Sequence, residues 1–327
     1  MRLCIPRIVS ARSGIPVAWR CLVGRAAVLL VASALPAAAA EPDLAYGAYQ
    51  AGHYRRAQSE ALKRLERDGN DTAAMTLLGE IYRQGLGIRI DPKAAADWYR
   101  LAADKGDVNA AFALGMAMLE GRGTARDPKA GGLLLEKAAA AGHAAANYNL
   151  ALALLATGRS QDDERAIACL KVAAAADLGD ALHALAVLHK LGRGVPQDDG
   201  AAAEWMGRAA GTGLVAGEVE YAIMLFNGDG VAKDERAAAR LFVRAAFKGN
   251  AIAQNRLAKL HQFGRAVPPD LSEAAAWHLA ARAQGLGDAT LDQLLERLAP
   301  DQRARAARLA ADRIEATALT TPSQPSK

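Results

Sequence analysis

The strand-like alternation of β-branched and polar residues is nearly absent from this chain, and small and large apolar residues recur in blocks of almost constant length instead. The clearest marker is a small residue directly after a large apolar one, as in Leu78-Gly79. Its equivalents, each 35 or 36 residues after the one before, are Gly115, Ala151, Ala186, Ala222 and Ala258. A fixed period of this length is typical of helix-pair repeats. We therefore predict an all-α chain with six 36-residue helix-pair repeats over residues 72–287.

Two further positions keep a constant distance from that marker. Nineteen residues after it comes a bulky apolar residue, predicted to be the large packing residue of the second helix: Trp98, Leu134, Leu170, Trp205, Leu241 and Trp277. Twelve residues after it comes an aspartate, predicted to cap that helix because a carboxylate accepts hydrogen bonds from the free N–H groups at a helix start. These aspartates are Asp91, Asp127, Asp163, Asp198, Asp234 and Asp270. The spacings place a one-residue shortening between the second helix of repeat three and the first helix of repeat four.

Glycine pairs between the two helices predict a tight turn that needs positive φ angles. The pairs begin at Gly85, Gly121, Gly192 and Gly228. Repeat three has Thr157 and Arg159 at the corresponding positions, and repeat six has Ala266 in place of its second glycine. We therefore expect the turn of repeat three to differ from the others.

The first 40 residues have the features of a secretory signal peptide. They contain five arginines and no acidic residue, a short apolar run over 26–35, and an Ala38-Ala39-Ala40 cleavage pattern. The alternative is an uncleaved membrane anchor, but the run is about half of what a bilayer requires. We expect cleavage near Ala40, a periplasmic or secreted protein, and no membrane span in the mature chain.

The net charge and cysteine content of the chain without residues 1–40 limit the classes of function to be expected. The chain has 40 basic and 35 acidic residues, and removal of the five leader arginines leaves 35 of each. A formally neutral mature chain gives no reason to expect a nucleic-acid partner. Cys169 is then the only cysteine, and its apolar helical neighbours favour a packed thiol over a reactive one.

Aspartate, histidine and glycine residues that could act in catalysis or ligand binding are explained here by structural roles in the repeat. Aspartates that recur in every repeat are expected to be caps, because a catalytic pair would occur once. The histidines lack the spacing of a zinc site; they are His53, His143, His183, His189, His261 and His278. The glycine pairs lie at helix ends and match no phosphate-binding motif. We predict no catalytic residue, cofactor or metal, and so no enzyme.

The segment Leu78 to Ile88, followed by Asp91-Pro92-Lys93-Ala94 and by Trp98 to Ala103, resembles the Sel-one-like repeat, a variant of the tetratricopeptide repeat. The resemblance implies a right-handed α/α superhelical solenoid whose first helices line a concave face, and a role in assembling protein complexes. Residues 41–71 resemble a tetratricopeptide helix pair. Residues 288–318 are predicted to form two capping helices, and residues 319–327 a disordered tail.

If tetratricopeptide geometry applies, the concave face carries the residues three before, one after and four after each marker. This set is polar in repeat one, with Thr76, Glu80 and Arg83, and again in repeat six, with Asn255, Lys259 and Gln262. Between them it is largely apolar: Phe112, Met116, Leu119, Tyr148, Leu152, Leu155, Val187, Val219, Ile223 and Phe226. An apolar stripe inside a polar rim is typical of a protein-binding groove. The alternative is that curvature or the C-terminal helices cover the stripe.

The predicted function is a periplasmic scaffold or regulator that binds an envelope or signalling protein. One alternative is a cell-wall or β-lactam-type hydrolase of the cysteine-rich Sel-one-like kind, but the disulfides of each repeat in those proteins are missing here. The other is a structural envelope protein that assembles with itself. The sequence does not predict an oligomeric state.

Overall fold

The computed structural model describes residues 43–320, and every regular element in that range is an α-helix. In chain order the helices are α1 (Leu44–Gln50), α2 (Tyr54–Arg67), α3 (Thr72–Gln84), α4 (Pro92–Asp104), α5 (Val108–Glu120), α6 (Pro128–Ala140), α7 (Ala144–Ala156), α8 (Ser160–Ala175), α9 (Gly179–Leu191), α10 (Asp199–Gly211), α11 (Val215–Asn227), α12 (Glu235–Phe247), α13 (Ala251–Phe263), α14 (Leu271–Ala283), α15 (Ala289–Arg297) and α16 (Pro300–Thr320). Each helix from α1 to α14 packs against the next, and α16 packs on α14. Helices α3 to α14 form six pairs, each an A helix followed by a B helix. The predicted all-α repeat solenoid is confirmed.

The small marker residue allows the A and B helices of a repeat to approach closely. A Cβ atom added to Gly79 would lie 2.5 Å from the Tyr99 ring, and one added to Gly115 would lie 3.0 Å from the carbonyl oxygen of Gly131. The alanines at the later marker positions are buried. Any larger side chain would therefore push the helices of its pair apart.

In four of the six B helices, the residue that fills the core lies one position after the predicted one. The prediction chose Trp98, but Trp98 is half-buried and the next residue, Tyr99, is 2% exposed. The same shift places Leu135, Met206 and Phe242 in the core of repeats two, four and five. The prediction is wrong for these four repeats, because a bulky residue on the flank of a helix has the same period as one that faces the core. It is confirmed for Leu170 and Trp277, which are 0% and 2% exposed.

Five of the six predicted aspartate caps are confirmed. Each carboxylate accepts the backbone N–H three residues later at 2.8–3.0 Å, and the five are Asp91, Asp127, Asp198, Asp234 and Asp270. Asp163 is not a cap, because α8 begins earlier, at Ser160. Its buried carboxylate instead pairs with Arg193 of the next repeat at 2.6 Å.

The one-residue shortening lies inside repeat three. The prediction that it follows the second helix of repeat three is wrong. The buried residues Leu135 and Leu170 of successive B helices are already 35 residues apart. The loss therefore falls in the turn between α7 and α8, where Thr157 and Arg159 both donate hydrogen bonds to Asp162 at 2.7 Å. This polar turn replaces the glycine pair, so the expected difference in repeat three is confirmed.

A second set of caps, at the A helices, was missed by the sequence analysis. Asp71, Asp107 and Asn250 each accept the N–H three residues on through a side-chain oxygen. His143 does the same through its Nδ1 atom, which lies 3.1 Å from the nitrogen of Ala146. The signal was present, since Asp71, Asp107 and His143 are 36 residues apart, but the residue types differ and hide the period.

The C-terminal helices pack mainly on α14, the B helix of repeat six. The Arg313 guanidinium of α16 lies over the Trp277 ring at 3.8 Å and pairs with Glu273 at 2.5 Å. Helix α16 continues to Thr320, two residues into the predicted tail. The rest of that tail and the predicted signal peptide lie outside the described residues. None of the described helices is both long and apolar enough to cross a lipid bilayer.

Candidate functional site

The predicted groove positions of repeats one and two, with the exception of Leu119, line one open space, which we call the N-terminal groove. Phe112 and Met116 of α5 line it together with Thr76 of α3 and with Tyr46 and Tyr49 of α1. The volume of this space is ≈ 840 Å³. The two tyrosines were not predicted, because α1 precedes the first repeat and has no equivalent in the period.

A polar cluster forms one wall of the N-terminal groove. Glu80 accepts hydrogen bonds from Arg83 Nε and from the Tyr99 hydroxyl, both at 2.9 Å. The hydrogen bonds from Arg83, with others from Gln84 and Tyr99, lower the pKa of Glu80 to about 2, although burial acts in the opposite direction. Burial, together with the charge of Glu80, raises the pKa of Tyr99. This wall therefore presents a charge pair that is already internally neutralised.

An aromatic contact holds Phe112 in place at the opposite wall. The ring of His143 stacks on it with 4.5 Å between the centroids. Burial lowers the pKa of His143, which keeps Nδ1 available as the acceptor that caps α7. Phe112 therefore rests against the side chain that caps α7, which fixes the position of its ring.

The middle of the predicted stripe lies on α5, α7 and α9. Leu152 is 42% exposed, whereas Leu119, Tyr148, Leu155 and Val187 are half-buried. Burial, with a smaller contribution from the charge of Asp180, raises the pKa of the Tyr148 hydroxyl. Tyr148 and Leu155 pack against the core of repeats three and four, so among these residues the side chain of Leu152 is the most exposed.

The C-terminal part of the stripe is divided. Val219 is 4% exposed and belongs to the core, so the prediction that it faces a partner is wrong for this residue. Ile223 and Phe226 instead line a pocket of ≈ 220 Å³ with Lys259 and Phe263.

The C-terminal helices do not cover the two spaces on this side. Neither α15 nor α16 contributes a lining residue to the N-terminal groove or to the pocket at Phe226. The carboxylate of Asp288 reaches Lys259 at 2.6 Å and Asn255 at 3.4 Å. The segment before α15 therefore occupies polar positions of repeat six and leaves the apolar positions open.

The described residues contain no group of three or more histidines, cysteines, aspartates or glutamates that could hold a metal ion. Cys169 is a half-buried free thiol whose pKa is raised by burial.

The solved structures that resemble this chain include several repeat proteins. A protective antigen of uropathogenic Escherichia coli with an SLR fold is 22% identical over 84% of this chain and 68% of that chain, with a TM-score of 0.49. A Sel1 repeat protein from Oxalobacter formigenes is 26% identical over 82% and 98%, with a TM-score of 0.42. An immunity protein from Pseudomonas aeruginosa is 19% identical over 76% and 88%, with a TM-score of 0.40. No curated protein matches the chain.

The model of the Sel1 repeat matches the chain six times in succession. The matched ranges are residues 72–107, 108–143, 144–178, 179–211, 215–250 and 251–286. These matches cover more than half of the sequence and coincide with the six A/B helix pairs. The chain therefore belongs to the Sel1 repeat family, whose members generally mediate protein–protein interactions.

Proposed function

We propose that this chain is an exported binding protein that holds a segment of another envelope or signalling protein against its A helices. The observation that carries the proposal is the N-terminal groove, where side chains from α1, α3 and α5 line one space of ≈ 840 Å³. Four of its lining residues, Tyr46, Tyr49, Tyr99 and Phe112, are tyrosine or phenylalanine. Large rigid rings dominate binding energy at protein interfaces because they bury much apolar area at a small entropic cost.

The surroundings of the groove also suit an extended segment or a helix. Met116 and Leu152 lie on the A helices α5 and α7, and the charge pair of Glu80 and Arg83 lines the groove. Burying three or four such side chains would contribute roughly 1.5–3 kcal/mol each before ordering costs.

Export is the second part of the proposal, and it rests on the sequence of residues 1–40. An arginine-rich start, a short apolar run and a small-residue cleavage pattern are the features by which a secretory leader is recognised. The test is the N-terminal sequence of the protein recovered from its host. A mature chain that begins at Glu41 supports export, and a chain that retains residues 1–40 in the cytoplasm contradicts it.

The binding test uses the full chain with its own leader and a C-terminal tag, expressed in its own host. Tyr46→Asp changes an exposed side chain of the groove, since Tyr46 is 51% exposed. Leu133→Asp is a matched control, because Leu133 is 60% exposed on the B helix α6 and does not line the groove. Circular dichroism establishes that both variants keep their helices.

We expect wild type and Leu133→Asp to retain one partner through purification and Tyr46→Asp to lose it. A partner retained by all three proteins would place the binding surface elsewhere. If no partner is retained and the chain self-associates with rising concentration, the self-assembling alternative is supported instead.

A further inference from the structure

A second groove lies on the other side of the repeats, between the B helices α10 and α12. Its lining includes Gly207 and Gly211 of α10 and three arginines of α12, Arg236, Arg240 and Arg244. Its volume is ≈ 850 Å³, and most of the other lining residues are apolar. We call this space the B-helix groove. None of its lining residues belongs to the N-terminal groove.

The B-helix groove is open because α10 lacks side chains along one edge. Gly207 and Gly211 are four residues apart, so they lie one above the other on the same face of the helix. A Cβ atom added to Gly211 would meet no atom within 4 Å, and one added to Gly207 would lie 3.1 Å from the ring of Tyr221. The space is therefore bordered by two glycines of α10, Gly207 inside the helix and Gly211 at its last position. Inside a helix, glycine costs about 1 kcal/mol relative to alanine.

The arginines along the opposite edge are spaced to act together. Residues four apart in a helix rise by about 6 Å along its axis and share a face. Arg236 and Arg240 are exposed, and neither forms an ion pair with another of residues 43–320. Arg244 is held by the carboxylate of buried Glu218 at 2.9 Å. No acidic side chain lines the groove, so Arg236 and Arg240 give its edge uncompensated positive charge.

This arrangement occurs once, although the helix pair occurs six times. The corresponding residues are Gly200, Glu204 and Arg208 in α10 and Ser272, Ala276 and Ala280 in α14. A feature that recurs in the repeats, such as the aspartate caps, is explained by its role in forming the helix pair. A row of arginines beside two glycines in one repeat junction has no such explanation.

We propose that the B-helix groove binds an acidic amphipathic helix of a protein partner. Carboxylates at positions i, i+4 and i+8 of such a helix would match the spacing of the arginines, and its apolar side chains would lie on the floor of the groove. A groove between two helices is suited to a helix laid along it, whereas a lipid surface would require the arginines to lie on a flat face.

A second copy of this chain is a less suitable occupant. Among the described residues, one run has carboxylates at this spacing, Asp288, Asp292 and Glu296. Asp288 already pairs with Lys259, and Asp292 pairs with His278 at 2.8 Å. Presenting these residues to another molecule would require breaking contacts that hold α15 in place.

The test measures binding of synthetic helical peptides to the purified protein by fluorescence anisotropy. One peptide carries glutamates at i, i+4 and i+8 beside a row of leucines, and its isomer has the same composition with the glutamates distributed around the helix. We expect the first peptide to bind ~10-fold more tightly or better. The double variant Arg236→Glu/Arg240→Glu should lose at least that factor, and added salt should weaken the wild-type complex.

A second variant blocks the groove without a change of charge. Gly211→Leu places a side chain in the open space, and it should leave the fold intact because leucine favours helix more than glycine does. Gly132→Leu in α6 is the matched control, since a Cβ atom there also meets no atom within 4 Å and the residue does not line the groove. We expect Gly211→Leu to weaken the peptide complex by ~10-fold with no loss of thermal stability, and Gly132→Leu to bind as wild type does.

Several outcomes would overturn the proposal. Equal binding of both peptides, or of unstructured polyglutamate, would show general attraction of anions. Binding of neither peptide would also refute it, as would binding to vesicles of anionic lipid that the arginine variant abolishes. Self-association that the same variant abolishes would identify a second copy as the occupant. The partner retained through Tyr46 should be unaffected by Arg236→Glu/Arg240→Glu, so this proposal and the proposed function can fail separately.

Discussion

The turn between the two helices of a repeat offers a quantitative test of how the repeats are held together. Gly123, the second glycine of its pair, has a φ of +71°. A Cβ atom there would lie 1.9 Å from the carbonyl oxygen of Pro92, at the start of the preceding B helix. Gly230 repeats this geometry with Asp199, also at 1.9 Å. The second glycine is therefore required for two reasons. Its φ angle is positive, and a side chain there would prevent the close contact between neighbouring repeats.

The first glycine of the pair has only the conformational requirement. Gly121 has the same φ of +71°, but its Cβ atom would lie 3.2 Å from the side chain of Arg126. A left-handed backbone conformation destabilises a residue with a Cβ atom by about 1–2 kcal/mol. Replacing glycine by alanine also lowers the entropy of the unfolded chain, which stabilises the fold by about 0.4–1 kcal/mol. Gly121→Ala should therefore cost ~1 kcal/mol. Gly123→Ala adds a clash with rigid backbone and should cost ~3 kcal/mol.

Repeat six allows the same reasoning with the opposite sign. Ala266 occupies the second glycine position with a φ of +58°. Ala266→Gly should therefore stabilise the protein by ~0.5–1 kcal/mol, because it removes the left-handed strain and gives up the smaller entropic term.

The assay for all three variants is urea denaturation followed by circular dichroism, with wild type measured in parallel. We expect the midpoints to follow the order Ala266→Gly, wild type, Gly121→Ala and Gly123→Ala. If Gly123→Ala were no more harmful than Gly121→Ala, the contact with Pro92 would not hold the repeats together. If Ala266→Gly were destabilising, the strain assigned to Ala266 would be absent.

Two further predictions concern charged groups. Glu218 is 1% exposed, whereas its partners Arg244 and Lys248 are 54% and 42% exposed. The double variant Arg244→Met/Lys248→Met leaves a buried charge unpaired and should lower the free energy of unfolding by about 3–5 kcal/mol. Glu218→Gln leaves two exposed cations and should lower it by only ~1–2 kcal/mol, as measured by urea denaturation. Equal costs would refute the asymmetry. His183 lies 2.8 Å from Glu220, and their hydrogen bond raises the pKa of His183 above 6.5 and lowers that of Glu220 below 4.5. The pair should stabilise the fold by ~0.5 kcal/mol between about pH 4.5 and 6.5. This stabilisation should be lost as the pH rises through the raised pKa of His183, and also as the pH falls through the lowered pKa of Glu220. A His183→Gln variant with an unchanged stability–pH profile would contradict this prediction.

The sequence by itself determined the features that depend on local chemistry and recur in every repeat. A capping aspartate, a glycine with positive φ and a small residue at a helix crossing each act within a few residues or one helix pair. Six copies make such features visible, as Asp91 and Gly115 show. The repeat number, the helical class and five of six B-helix caps followed from them.

The tertiary structure decided what depends on how each helix packs against its neighbours and on contact between repeats. Whether Trp98 or Tyr99 faces the core, and whether Val219 is buried, depends on that packing and leaves the sequence period unchanged. The pairing of Asp163 with Arg193 joins two repeats, and the shorter turn between α7 and α8 shifts the register of the third. The N-terminal groove needs tyrosines from outside the period, and the B-helix groove combines glycines of one repeat with arginines of the next. Each of these sites is formed by residues that are distant in sequence, so only the packing of the helices brings them together.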